Sequence, residues 1–317
     1  MKTRLFSDIH SANTPGPVLG FGAGFVNFAG LDTSVSTVRR ARELGLRYFD
    51  TSVLYRSGAS QAILGEALSG AGQPPFLATK IGHFAEARHF RSPEAMLVQF
   101  RESLRLLRRD AVDLLQIHEA DWPVWWEDRA EVRPLELFDL QGDHRFAEAP
   151  VVEFLRSAKA AGLCRHIGIA GNNARHLARV VAEIPGLDSL LVAYNCHPLN
   201  VTARDTVIPA AAAAHTAVIV AGIFTFVHRI PDGWRTEGTY FGRHADRQLA
   251  ALHALQGACG VPMNELALRF ALAEPGIDAL VVGASQPAEI EENVARFALG
   301  PFPADLHAAI DAIARDV

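Results

Sequence analysis

The chain has 317 residues, 49% of them apolar and 21% charged, which is enough for one large core. A formal charge of −5 and the absence of a long basic run argue against nucleic acid as a main partner. Cys164, Cys196 and Cys259 are far apart and show neither CxxC nor zinc spacing, so they read as idle thiols of a reducing compartment.

The first residues, Met1 to Gly16, are polar and lack the apolar run of a signal peptide, so a cytoplasmic, membrane-free protein is expected. Short apolar runs then alternate with amphipathic stretches. The strand candidates are Val18–Gly22, Arg47–Asp50, Phe76–Lys80, Val112–His118, His166–Ile169, Ser189–Ala193, Ala217–Ala221 and Ala279–Val282. Each is rich in Val, Ile, Leu or Phe, as parallel strands buried on both faces should be. Between them, Asp32-Thr33-Ser34 is expected to cap a helix running to Leu44, with Gly45 as its stop. Ser92-Pro93 starts a second helix reaching about Arg108, and Ala149–Ala161 forms a third. Thr202–Ala214, Ala245–Ala258, Pro262–Ala273 and Pro287–Ala298 follow. The nearly continuous apolar stretch from Val207 to Val227 is broken by Pro209, His215, Thr216 and Gly222, and reads as a helix plus a strand rather than a membrane span.

Eight strands each leading into a helix imply a parallel sheet, and a closed (β/α)8 TIM barrel is the economical single-domain α/β solution for residues 1–317. An open doubly wound sheet is the alternative. Two long connections, about 119–148 and 222–244, follow strands and so belong to the carboxyl face, where barrel enzymes place their chemistry. Gly20-Phe-Gly22-Ala-Gly24 looks like a dinucleotide fingerprint, but its third position falls on Phe25, and close backbone packing is the better reading.

The strongest chemical signal is polar residues at successive strand ends: Asp50, then Tyr55 in the loop behind it, Lys80 and His118. A tyrosine titrates near 10, too high for easy proton transfer at neutrality, and a neighbouring ammonium should lower it. Asp50 would hold Lys80 charged, and His118 would donate to a carbonyl oxygen. Such a group is a general acid for carbonyl reduction or a general base for alcohol oxidation, with hydride supplied by a cofactor. No metal box is seen.

The run from Tyr48-Phe-Asp50-Thr51 through Tyr55 and Gly58 to Gly65-Glu-Ala-Leu68 resembles the first signature of the aldo-keto reductase family. Ala78-Thr-Lys80 and Asp113-Leu-Leu-Gln-Ile-His118 match the next two, and Gly283 to Asn293 is similar to its adenine-end segment. The similarity spans about Val18 to Phe297 and looks closest to the aldose or sugar 1-dehydrogenase branch. The resemblance implies a (β/α)8 barrel binding NADP or NAD, with Asp50, Tyr55, Lys80 and His118 as the catalytic four. It also implies cofactor contacts at Asn172, Gly283, Ser285, Glu289, Glu292 and Asn293. Two features depart from it. At the nicotinamide end, Ala170 stands where the family has a side-chain donor, with Asn172 as a substitute. Ala221 takes the place of its stacking aromatic, with Phe224 or Phe226 available to fill the space. At the adenine end, the family's phosphate-binding Lys and Arg fall on Gly283 and Glu289, so an NAD preference is expected, unless Arg229, Arg243 or Arg247 folds over the phosphate.

Trp122, Trp125 and Trp126, with Phe138 and Phe146, either wall a pocket for an apolar or sugar-ring substrate or anchor a long loop. The leading expectation is an oxidoreductase on an aldehyde, ketone or sugar hemiacetal. A regulatory barrel with little turnover and a metal-dependent hydrolase are the alternatives. The oligomeric state is left open.

Overall fold

A computed structural model describes residues 5–6, 16–26, 28–70, 73–129, 131, 140, 142–225 and 245–315. Eight strands, β1 (Val18–Gly22), β2 (Tyr48–Asp50), β3 (Phe76–Ile81), β4 (Val112–Ile117), β5 (Cys164–Gly171), β6 (Ser189–Ala193), β7 (Ala217–Ala221) and β8 (Ala279–Gly283), close in sequence order into a barrel. All eight pairings are parallel, the last joining β1 to β8 with Val18 opposite Ala279. The helices α1 (Leu31–Glu43), α2 (Ala59–Ala67), α3 (Pro93–Leu107), α4 (Pro150–Ala160), α5 (Ala174–Glu183), α6 (Thr202–Asp205), α7 (Val207–Ala213), α8 (Ala245–Cys259), α9 (Met263–Leu272), α10 (Pro287–Ala298) and α11 (Ala304–Ala314) surround it.

Local chemistry explains most boundaries. Ser92 Oγ accepts from the Ala95 N–H at 3.2 Å and Pro93 presets the first turn of α3, while Asn173 Oδ1 accepts from the N–H groups of Arg175 and His176 to start α5. The expected cap of α1 is corrected. Gly30 holds that position with φ 89°, and Ser34 Oγ instead donates to the Gly30 carbonyl. The single helix expected from Thr202 to Ala214 is two, because Thr206 takes φ −126°, ψ −84° between them and Pro209 falls in the first turn of the second. Helices α2, α5 and α11 were not anticipated. The stretch from Val207 resolves into α7 and β7 as expected, and no described helix is long and apolar enough to cross a membrane.

Two apolar layers flank the strands, and a third cluster, with Leu252, Leu266, Phe270 and Ile310, joins α8, α9 and α11. One lies between strands and helices, where α4 buries Val151, Val152, Phe154, Leu155 and Ala158, each large side chain contributing about 1.5–3 kcal/mol. The other fills the barrel itself, with Tyr48, Phe76, Ala78, Leu114, Leu191, Ile219 and Val281. Leu5 and Phe6 belong to this inner layer, and the Phe6 ring packs on Tyr48 and Phe76 at 5.1 and 5.4 Å between centroids. The first-strand glycines serve close packing, since a Cβ on Gly20 would lie 2.4 Å from the Tyr48 ring.

Candidate active site

Side chains alternate along a strand, so Phe76, Ala78 and Lys80 of β3 share one face, as do Leu114, Gln116 and then His118 on β4. That face is the barrel interior, and its uppermost layer is polar. Register sets Lys80 opposite Gln116 and Asp50 opposite Ala78. Lys80, with 1% of its surface exposed, forms an ion pair through Nζ with Asp50 Oδ1 and donates to the Thr51 carbonyl at 2.9 Å. Gln116 Nε2 donates to Asp50 Oδ2 at 3.3 Å, and the Tyr48 hydroxyl approaches the same oxygen at 3.5 Å. Burial pulls the Lys80 ammonium below its ordinary range and lifts Asp50 above its own, each opposed by the charge of the other.

Tyr55 lies half-buried above this pair, its ring centroid 5.1 Å from Lys80 Nζ and edge-on to His118 at 5.7 Å. The structure corrects one expectation here. Burial first, then the charges of Asp50 and Glu119, push the Tyr55 phenol up, so its net shift is upward rather than downward. The hydroxyl therefore keeps its proton, as a donor to a carbonyl oxygen must. His118 is buried, and its imidazole is held well below its ordinary pKa by burial, His83 and Lys80, so the ring is neutral. Ser52 Oγ accepts from the Leu54 N–H at 3.1 Å and lies 2.9 Å from His118 Nδ1; with the hydroxyl donating to Nδ1, the ring proton sits on Nε2 and is available to a carbonyl oxygen.

Around this centre lie residues that sequence reasoning missed. His83, three residues beyond Lys80, and Glu119, directly after His118, both adopt left-handed backbone, φ 56° and 54°. His83 Nε2 and Glu119 Oε2 lie 3.2 Å apart, and the His83 ring is wedged between His118 and Trp122 at 4.6 and 4.7 Å. Asp121 is fully buried, accepts from the N–H groups of Asn172 and Asn173 at 2.7 Å, and is pushed up to about 7 by burial and Glu119. No motif marks these positions. Only the two-residue period back from His118 could have found Gln116.

The three tryptophans divide. Trp125, fully buried, donates from Nε1 to the His118 carbonyl at 3.0 Å and rests on Gly82, where a Cβ would come within 2.8 Å of its ring. Trp126 donates to the Ala120 carbonyl at 2.8 Å and packs edge-on against Phe146. Only Trp122 touches the mouth, through His83. Phe138 lies outside the described residues.

The cofactor candidates separate into two groups. At the end of β5, Asn172 donates from Nδ2 to Glu119 Oε1 at 3.1 Å, and its carbonyl accepts from Asn195 Nδ2 at 2.6 Å, while Ala170 is buried. Tyr194 stands at the end of β6 against Gly222, beside Ala221. Phe224 packs partly buried against the outer core, and Phe226, Arg229 and Arg243 lie outside the described residues. At the end of β8, Gly283 is pressed by the Phe25 ring, and Asn293 Nδ2 donates to the Gly283 carbonyl at 3.4 Å. Glu289, in the first turn of α10, accepts from the Ser285 N–H at 2.7 Å and from its hydroxyl at 3.1 Å. Glu292 is exposed and paired with Arg296, and Arg247 sits on α8.

Comparison with known proteins agrees with this geometry. The chain is 26% identical to D-threo-aldose 1-dehydrogenase of Pseudomonas sp over 93% of each chain. It is 28% identical to L-galactose dehydrogenase of Arabidopsis thaliana over 83% of this chain and 77% of that one. Among solved structures, the holo form of an aldo-keto reductase from Bacillus halodurans superposes with a TM-score of 0.71 at 22% identity, covering 94% and 92% of the two chains. An aldo-keto reductase from Klebsiella pneumoniae in complex with NADPH gives 0.68 at 19%, covering 94% and 91%. A profile of the Aldo/keto reductase family matches residues 19–315, and with the barrel and its polar uppermost layer in place, the chain belongs to that family.

Proposed function

We propose that this NAD(P)-dependent oxidoreductase acts on sugar hemiacetals and hydroxyaldehydes, with Tyr55 as its proton-transfer residue. The observation that carries the reading is the polar layer itself: a buried Lys80–Asp50 pair under a protonated Tyr55, beside a neutral His118 held by Ser52. A nicotinamide cofactor supplies or accepts the hydride when bound. In reduction, Tyr55 gives its proton to the carbonyl oxygen while His118 Nε2–H orients that oxygen. The Lys80 ammonium, set under the ring by Asp50, stabilises the phenolate that remains. Oxidation runs the same steps backwards. The sugar dehydrogenases among the relatives support the substrate class, as does Trp122 at the mouth.

The residues present fit a dinucleotide that lacks a 2′-phosphate. Asn172, Ser285, Glu289 and Asn293 would hold it, with Gly283 admitting the backbone closely. Glu289 already accepts from two donors of the Ser285 turn, as it would from a ribose hydroxyl, and no cation pairs with it among the described residues. NAD is therefore the favoured cofactor.

Tyr55→Phe tests the assignment. Removing a general acid or base costs about 10²–10⁴ in rate, so turnover on an aldose panel should fall at least about a hundredfold with the thermal melt unchanged. Turnover within twofold of the parent would refute it.

A further inference from the structure

We propose that His83, His118 and Glu119 form a divalent transition-metal site at the barrel mouth, and that an ion bound there excludes the carbonyl substrate. Each residue offers one ligand atom, and the three atoms fall within 4.8 Å of one another. His83 Nε2 and Glu119 Oε2 are 3.2 Å apart, yet both are buried atoms without a hydrogen bond among the described residues. Close approach without hydrogen-bond alignment is what two ligands converging on a common point show. The edge of a tetrahedron with metal bonds of about 2.1 Å is about 3.4 Å. His118 completes the set from the adjacent strand end. Two ligands of one ion lie at most about 4.2 Å apart, so bringing the His118 nitrogen onto the same ion requires a shift of no more than about 0.6 Å, which side-chain rotation supplies.

The outer contacts are those that orient metal ligands. Ser52 Oγ holds His118 Nδ1 at 2.9 Å, and Asn172 Nδ2 holds Glu119 Oε1 at 3.1 Å, leaving Nε2 and Oε2 as the free atoms. Metal on Nε2 places the ring proton on Nδ1. Ser52 Oγ then accepts from it, in a reversal of roles that a hydroxyl permits. His83 and Glu119 both take left-handed backbone, a strained conformation that persists where it aims a side chain. Two imidazoles and one carboxylate select zinc, cobalt, nickel or copper over magnesium and calcium, which take oxygen ligands. Three protein ligands leave the fourth position open. His118 cannot bind the ion through Nε2 and also donate from that atom to a carbonyl, so ion and substrate compete.

The test uses the full chain, stripped with chelator and free of cofactor. It is titrated with Co2+ while visible ligand-field bands are followed, and with Zn2+ by calorimetry. One ion per chain is expected, with no response to Mg2+. His83→Asn, which tolerates left-handed backbone, and Glu119→Gln should each weaken binding at least about tenfold. Cys259→Ser, which removes the exposed thiol, should change nothing. Circular dichroism verifies folding, and either ligand variant alone suffices. Absence of saturable binding, affinity unchanged from the parent in both ligand variants, or loss of the ion with Cys259→Ser would each overturn the site. Binding is read without turnover, so a negative result bears on the metal site and leaves the oxidoreductase assignment standing.

Discussion

Asp50→Asn isolates the charge on Lys80. The substitution keeps shape and removes the carboxylate that pairs with an ammonium buried to 1% exposure. Breaking a buried pair from one side typically costs about 3–5 kcal/mol. Lys80 can limit that loss by shedding its proton. Neutralising a lysine of ordinary pKa near 10.4 at about pH 7 costs about 5 kcal/mol, which sets the ceiling. Burial already lowers the Lys80 pKa, and both opposing contributions come from Asp50, so the variant's value falls further. The folded variant then binds fewer protons than its unfolded chain. Stability must therefore rise with pH, by about 1.4 kcal/mol per unit, between the folded pKa and about 10.4. Urea unfolding of parent and variant from about pH 7 to about pH 9.5 should show a deficit of about 3–5 kcal/mol that shrinks as pH rises. A deficit below about 1 kcal/mol, or one constant across that range, would show that Lys80 is not a desolvated charge held by Asp50.

Other outcomes follow from the same geometry. Trp125→Ala and Trp126→Ala should each lose about 3–5 kcal/mol in chemical unfolding, whereas Trp122→Ala should raise KM for aldoses with a smaller loss; the reverse pattern would place the pocket elsewhere. Glu289→Arg should improve NADP affinity at least about tenfold in equilibrium titration, through charge-assisted bonds of about 1.5–3 kcal/mol; a parent that binds NADP over tenfold tighter than NAD, with no gain in the variant, would sink the NAD preference. Gly65→Ala should lower the melting temperature, since its Cβ would come 2.3 Å from the Leu106 carbonyl oxygen and force α2 off α3; an unchanged melt would show that the two helices separate freely.

Much of this architecture is legible in the chain. The eight apolar runs coincide with the strands to within a few residues, because a strand buried on both faces has no polar periodicity to obscure it. The barrel closes on them in order. Asp50, Lys80 and His118 were findable because strand ends converge in a parallel barrel whatever their separation in sequence. Their electrostatics were not. Burial, the dominant influence on Tyr55, depends on what the fold stacks around it, and the motif shows only the neighbouring lysine. His83 and Glu119 escaped notice because their meeting depends on two left-handed residues that no residue type announces. Helix α5 was missed for a simpler reason. Its Arg and His residues interrupt the apolar stripe on paper, while Leu177, Val180 and Val181 still fall on one buried face.

The ring column inside the barrel ties its two ends together. Phe6 supports Tyr48, whose hydroxyl reaches Asp50, which in turn positions Lys80. Only two side chains, Tyr48 and Asp50, separate Phe6 from the ammonium beneath Tyr55. The floor is thus a foundation of the mouth, and harm done there travels upward without disturbing any loop. A library that diversifies the mouth to alter substrate choice can be carried on an untouched floor. Trimming the segment that carries Phe6 would undermine the carboxylate from below, and a screen watching only the upper loops would misread the loss.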